Sequence, residues 1–166
     1  NTSALTADNF TVEANDVLID ATTSMNANSS TGDVEFIVSD SEDVSLGDTI
    51  KPFQMTGDEM ETVTAKNFYL TSLRNGSFFV DNISYANNSK INDLVELRTF
   101  SATTNPSITF QNTDSFFQNH LNVFTSGAIN INASSTSNLD SLYYADDNNT
   151  DGIGDLNIAS SKGITV

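Results

Sequence analysis

The stretch DVEFIVS, residues 33–39, decides the fold class: Val34, Phe36 and Val38 alternate with Asp33, Glu35 and Ser39. A period of two turns one face of an extended chain inward, whereas a helix would place its apolar residues three and four apart. The same alternation recurs in NFTVEA (Phe10, Val12, Ala14), KNFYLTS (Phe68, Leu70), GSFFVDNIS (Phe78, Val80) and LVELRTF. It appears again in PSITFQN (Ile108, Phe110), GAININA (Ile129, Ile131) and GDLNIAS (Leu156, Ile158). Glycine, asparagine, aspartate and serine break these runs, so the chain reads as many short strands with one buried face. Tight-hairpin signals are few, with RNGS, residues 74–77, as one candidate. One segment departs from the pattern. In MTGDEMETV, Thr56 stands three residues before Glu59, the spacing of a capping box, with Asp58 and Glu61 nearby. One short helix is expected near residues 57–63.

Composition narrows the function classes. The 166 residues suffice for one domain with a real core, and nothing in them forces a second. Six basic residues face twenty-two acidic ones, a formal net charge of −16. Such a surface repels phosphate backbones and anionic lipid, which argues against nucleic-acid partners, and it collects cations. No apolar run approaches the ~20 residues that span a bilayer. With no cysteine, disulfides and thiolate chemistry are ruled out. The opening residues NTSALTADNF carry neither the basic nor the apolar region of a signal peptide, so an export signal is expected outside them.

Short strands at irregular intervals suit a β-solenoid or a β-sandwich. Three features favour the solenoid. Glycine or asparagine, a polar residue and then alternating apolar residues recur as a unit that stacks into ladders. Asparagines sit beside the strands, where amides can satisfy stacked turns. Placing the last residues, NIASSKGITV, before the first keeps the strand–turn rhythm, as one repeat of a tandem array would.

The order of motifs resembles the repeat regions of filamentous-haemagglutinin-like exoproteins, secreted bacterial adhesins. The resemblance runs through LTADNFTVEANDVLIDATTSMNANSSTGDVEFIVS (5–39) and VSLGDTIKPFQMTGDEMETVTAKNFYLTS (44–72). It continues in GSFFVDNISYANNSKINDLVELRTF (76–100), SGAININASS (126–135) and ADDNNTDGIGDLNIASSKGITV (145–166). It implies a right-handed parallel β-helix over residues 1–166, a single unit of a longer array, acting as stalk or adhesive surface outside the cell rather than as an enzyme. Its implied partners are neighbouring copies or repeats and a cell-surface or glycan receptor. The chain is richer in asparagine and phenylalanine than the glycine-rich family pattern. At ~20–25 residues per turn it would make roughly seven rungs, and at ~4.8 Å each a rod about 35 Å long with raw strand edges at both ends.

The stretch DDNNTDGIGD supplies the one candidate ion site. Asp147, Asn149 and Asp151 fall at alternate positions, Gly152 at the sharp turn, Ile153 can offer its carbonyl and Asp155 a further carboxylate. Closely spaced oxygens on a backbone that bends round the ion are what calcium requires. The twelfth position, where an EF-hand has a bidentate glutamate, is Ile158. Calcium would therefore bind in the ~0.1–1 mM range, and a plain solvated turn explains the same residues.

Other chemistry has less material. His120 is the only histidine, and it reads as a turn or surface residue. The acidic groups at 40–43 and 58–61 would have to flank a sugar-lined cleft to cleave glycosides, and there is no tryptophan to line it. Phe78–Phe79, Phe116–Phe117 and Tyr143–Tyr144 should each turn one ring inward and one outward. The competing classes are a β-sandwich filament subunit assembling by strand donation, with antiparallel pairing and a detachable strand near 5–14, and a β-helical carbohydrate-active enzyme with carboxylates in a groove.

Overall fold

The computed structural model describes residues 3–19, 23–101, 103–146 and 154–166. In chain order the elements are β1 (Ser3–Thr6), β2 (Phe10–Ala14), β3 (Thr23–Asn26), β4 (Asp33–Val38), β5 (Val44–Gly47), β6 (Phe53–Met55) and α1 (Gly57–Glu61). Next come β7 (Val63–Ser72), β8 (Phe78–Asp81), β9 (Ile91–Thr99), β10 (Ile108–Phe110) and β11 (Ser115–Phe117). The last are β12 (His120–Thr125), β13 (Ile129–Ile131), β14 (Ser135–Ser137), β15 (Ser141–Ala145), β16 (Leu156–Ile158) and β17 (Ile164–Thr165). The protein is all-β with one short helix.

Every strand pairing among the described residues is parallel. The largest sheet runs β1-β3-β7-β9-β12-β15, with β4 joining β2 to β7; a second runs β16-β13-β10-β8-β5-β6, and a third β11-β14-β17. Parallel neighbours need a long crossover, and here the crossover is the chain's passage through the other sheets. Partners are 34 residues apart where Val34 faces Phe68 and 20 apart where Leu121 faces Ser141, so the spacing is less regular than the sequence suggests. The exception is β6, which follows β5 closely and extends the second sheet beyond it. RNGS is accordingly no hairpin: Asn75, at φ 44°, turns the chain from β7 in one sheet to β8 in another.

Register stacks like on like. Phe10, Val34, Phe68, Val95 and Leu121 form one inward column, and Val12, Phe36, Leu70, Leu97, Val123 and Tyr143 the next. Phe36 and Phe68 meet at 5.9 Å between ring centroids. The second sheet contributes Phe53, Val44, Phe78, Ile108, Ile129 and Leu156, beside Met55, Leu46, Val80, Phe110, Ile131 and Ile158. A slip of one residue would turn a whole column outward, so burial fixes the register. Each fully buried Phe, Leu, Ile or Val contributes roughly 1.5–3 kcal/mol.

The helix forms as its capping box dictates: Glu59 N donates to Thr56 Oγ1 at 3.2 Å, and Thr56 N donates to Glu59 Oε2 at 2.8 Å. It ends at Glu61 and buries Met60. Ile19 N donates to Glu59 Oε1 at 3.1 Å, and Val17 and Ile19 pack on the core, tying the segment after β2 to the helix.

The corners between sheets are held by side-chain amides and carboxylates. Asp81 is buried and accepts from Thr49 Oγ1 (3.0 Å), Asn112 Nδ2 (2.9 Å) and Thr113 N (3.1 Å). Asn82 and Asn112 both turn at φ 56°, a conformation asparagine tolerates because its side chain bonds locally. Asn82 Nδ2 reaches Asp48 at 2.7 Å.

Candidate functional site

Three places carry chemistry beyond packing: an outward groove, the neighbourhood of the acidic loop, and the edge formed by the last three strands. The groove lies on the outer face of the largest sheet. Residues facing away from the core line up across strands as Thr11, Glu35, Tyr69, Glu96, Asn122 and Leu142. Around the first four, with Arg98 and Phe100, is a hollow of about 630 Å³. Burial pushes the Tyr69 phenol above its usual range, and the nearby carboxylates of Asp33, Glu96, Glu35 and Asp93 push it further the same way. Arg98 lies 3.4 Å from Glu96 and 4.7 Å from the Phe124 ring centroid. Glu35 and Glu96 flank Tyr69 from the neighbouring strands, two interstrand spacings or about 10 Å apart across the sheet. The hollow thus offers acceptors and an aromatic face to a polar ligand, while Glu96 is engaged by Arg98. Sequence reading passed over these residues because the groove is assembled from β4, β7 and β9. Its one legible trace is that polar residues hold the outward positions of those strands.

Asp147, Asn149, Asp151 and Ile153, the proposed calcium ligands, lie outside the described residues. Asp155 is described: it is exposed, and its carbonyl accepts from Ile129 N at 2.8 Å, setting β16 on β13. The two flanks of the loop touch, since a Cβ on Gly154 would come within 2.4 Å of the Asp146 backbone nitrogen and Cβ. Asp146 itself turns at φ 64°, and no partner among the described residues reaches its buried Oδ1. Among the described residues no three His, Asp or Glu side chains converge as a metal cluster.

The other acidic groups have structural work. Asp43 binds Lys51 at 2.9 Å and accepts from Ser77 N at 3.0 Å, while Asp58 and Glu59 open the helix. His120 is half-exposed, with Nδ1 3.2 Å from the Asp140 carbonyl and Nε2 3.9 Å from Asp93. Each aromatic pair divides as expected, with Phe78, Phe117 and Tyr143 inward. Tyr143 donates to Ser135 Oγ at 2.6 Å, and burial pushes its phenol up to about 12.

Phe53 and Met55, on the edge strand β6, are each 1% exposed. Leu156 and Ile158 occupy the same inward columns on the opposite edge strand, β16, yet are 48% and 50% exposed. Within the second sheet the two edge strands therefore differ, β6 buried and β16 exposed, while β1 and β2 are edge strands of the largest sheet, where Leu5 is 55% exposed. No protein-family model, curated protein or solved structure matches the chain.

Proposed function

We propose that the chain is a right-handed parallel β-helix serving as a structural and adhesive unit of an extracellular rod, without enzymatic turnover. The observation that carries this reading is the parallel stacking of strands in inward columns, with apolar residues still exposed on the edge strand β16. A stack of this kind bears load along its axis and accepts further layers at its strand edges. The strand-donation sandwich requires antiparallel pairing, which the described strands do not show. Neighbouring copies or repeats are the partners proposed for the strand edges, and a surface glycan or receptor for the outer face, where the Tyr69 groove lies.

Calcium in the loop of Asp147, Asn149, Asp151, Ile153 and Asp155 belongs to the same proposal. Its support is the touching flanks Asp146 and Gly154 and the lone Asp146 oxygen. The carbohydrate-active reading is favoured by one observation, the carboxylates of the groove, and the same experiment separates the two. Beads coated with the chain should be retained under flow on host-cell or glycan-coated surfaces and release no reducing sugar. Release of reducing ends would replace the structural reading by the enzymatic one.

A further inference from the structure

The hollow on the outer face of the largest sheet is lined by three carboxylates, Asp33, Glu35 and Glu96, and one guanidinium, that of Arg98. Three negative charges less one positive leave a surplus of two. Arg98 is engaged: it lies 3.4 Å from Glu96 and 4.7 Å from the ring centroid of Phe124, its neighbour on the next strand. Asp33 accepts from Asn67 Nδ2 at 2.8 Å, and Glu35 from the Thr11 hydroxyl at 3.5 Å. Among the described residues no cation pairs with either of these two carboxylates. Asp93, the fourth carboxylate near enough to act on the Tyr69 phenol, is met by Lys66 at 3.6 Å and His120 at 3.9 Å.

The molecule shows elsewhere what such a surface holds. Lys51 Nζ sits 3.8 Å from the Phe79 ring centroid and 2.9 Å from Asp43, so a ring and a carboxylate together bind an ammonium. Arg98 is held by the same two kinds of group, Phe124 and Glu96. The groove repeats the arrangement with Tyr69 between Glu35 and Glu96, each one interstrand spacing, about 5 Å, away. Leu73 and Phe100 line the same hollow and are 43% and 42% exposed. An alkyl stem can lie along them while its charged head reaches the carboxylates. A hollow of about 630 Å³ is far larger than a bare ion needs. Sulfated and sialylated glycans would be repelled by the surplus charge. A neutral sugar could donate its hydroxyls to the same carboxylates but would leave that charge unanswered.

We propose that the Tyr69 groove binds a primary ammonium on an apolar stem, as a lysine side chain of a basic protein segment presents it. The ammonium sits at Tyr69 between Glu35 and Glu96, and the stem runs along Leu73 and Phe100. The proposal rests on the reading of the outer face as the one that meets a receptor, and it names that receptor's chemistry.

The test is an NMR titration of the intact, isotope-labelled 17.9 kDa chain, read from its amide shifts. The probe is Nα-acetyl-lysine methylamide, with its Nε-acetylated form as the neutral counterpart. Saturable binding is expected, with a dissociation constant on the order of 1–10 mM. The largest shifts should fall on β4, β7 and β9, around Glu35, Tyr69 and Glu96. Glu35→Gln should weaken binding at least about fivefold, and the Nε-acetylated probe should bind at least about tenfold more weakly. Glu61→Gln removes the same charge from α1, outside the groove, and should leave binding unchanged. The spectrum of each variant shows whether it is folded. Shifts scattered over acidic residues round the chain, or equal weakening by the two variants, would mean diffuse attraction to an acidic surface and overturn the site. So would equal binding of the two probes, or no binding up to about 50 mM. Tighter binding of a neutral disaccharide in the groove would make it a glycan site instead. No receptor or surface enters this measurement. A chain that ignores the probe while its beads adhere sinks the lysine site alone, and one that binds the probe while its beads do not adhere sinks only the adhesive reading.

Discussion

At Asp81 a single carboxylate gathers donors from three places in the chain, Thr49, Asn112 and Thr113. Asp81→Ala would leave those donors without their acceptor at a buried corner. The expected loss is about 1–3 kcal/mol in urea unfolding, with Asp81→Asn losing less because it keeps one acceptor oxygen. Tyr143 has a different signature. Its phenol is raised to about 12 in the fold, against ~10 unfolded. An acid whose folded value is raised stabilises the fold below the unfolded value and loses that contribution as pH climbs to the folded one. Stability should therefore decline between about pH 10 and pH 12 by roughly 2–3 kcal/mol. Tyr69, shifted the same way, adds to the decline. In Tyr143→Phe the decline should be shallower, and an unchanged profile would show that Tyr143 does not contribute. The sequence marked Tyr143 only as half of a pair with one ring inward, and Asp81 not at all, since an aspartate in DNIS reads as a turn until its partners from distant strands are in place.

The elements were legible where local chemistry decides them. A five-residue helix is too short to stand alone in water, yet Thr56 and Glu59 marked it because a capping box is written entirely in neighbouring residues. Thr56→Ala should cost about 1 kcal/mol, read as a shift in the denaturation midpoint. Eight of the seventeen described strands were equally plain, since each alternating segment quoted in the sequence contains or overlaps a strand of the fold, whereas β3 (TSMN) and β14 (STS) carry no apolar alternation to read. What alternation could not tell is how deep a residue lies. Ile131 and Ile158 are neighbours in one column, buried and half exposed respectively. Ile131→Lys should therefore cost more than about 3 kcal/mol, whereas Ile158→Lys in dilute protein should cost under about 1 kcal/mol. Equal losses would mean that the β16 edge is covered within the monomer.

Over the whole molecule the formal charge is −16, and the calcium proposal is best tested at this scale, through global stability. With a dissociation constant of ~0.1–1 mM, several millimolar calcium should add roughly 1–2 kcal/mol and raise the melting temperature. Magnesium should not reproduce the rise, and chelator should reverse it. A melt indifferent to calcium would return the loop to an ordinary turn.

Period-two patterning, turn residues and a capping box are local codes, and by themselves they determined the all-β class, the strands that alternate and the helix. The tertiary structure decided which strands meet. It set partners between 9 and 38 residues apart, placed β6 beyond β5, drew Glu35, Tyr69 and Glu96 into one groove, and buried the edge strand β6 while leaving the opposite edge strand β16 exposed. The reason is physical: alternation tells a residue which face it takes, but only the neighbouring strand, or its absence, determines whether that face is buried.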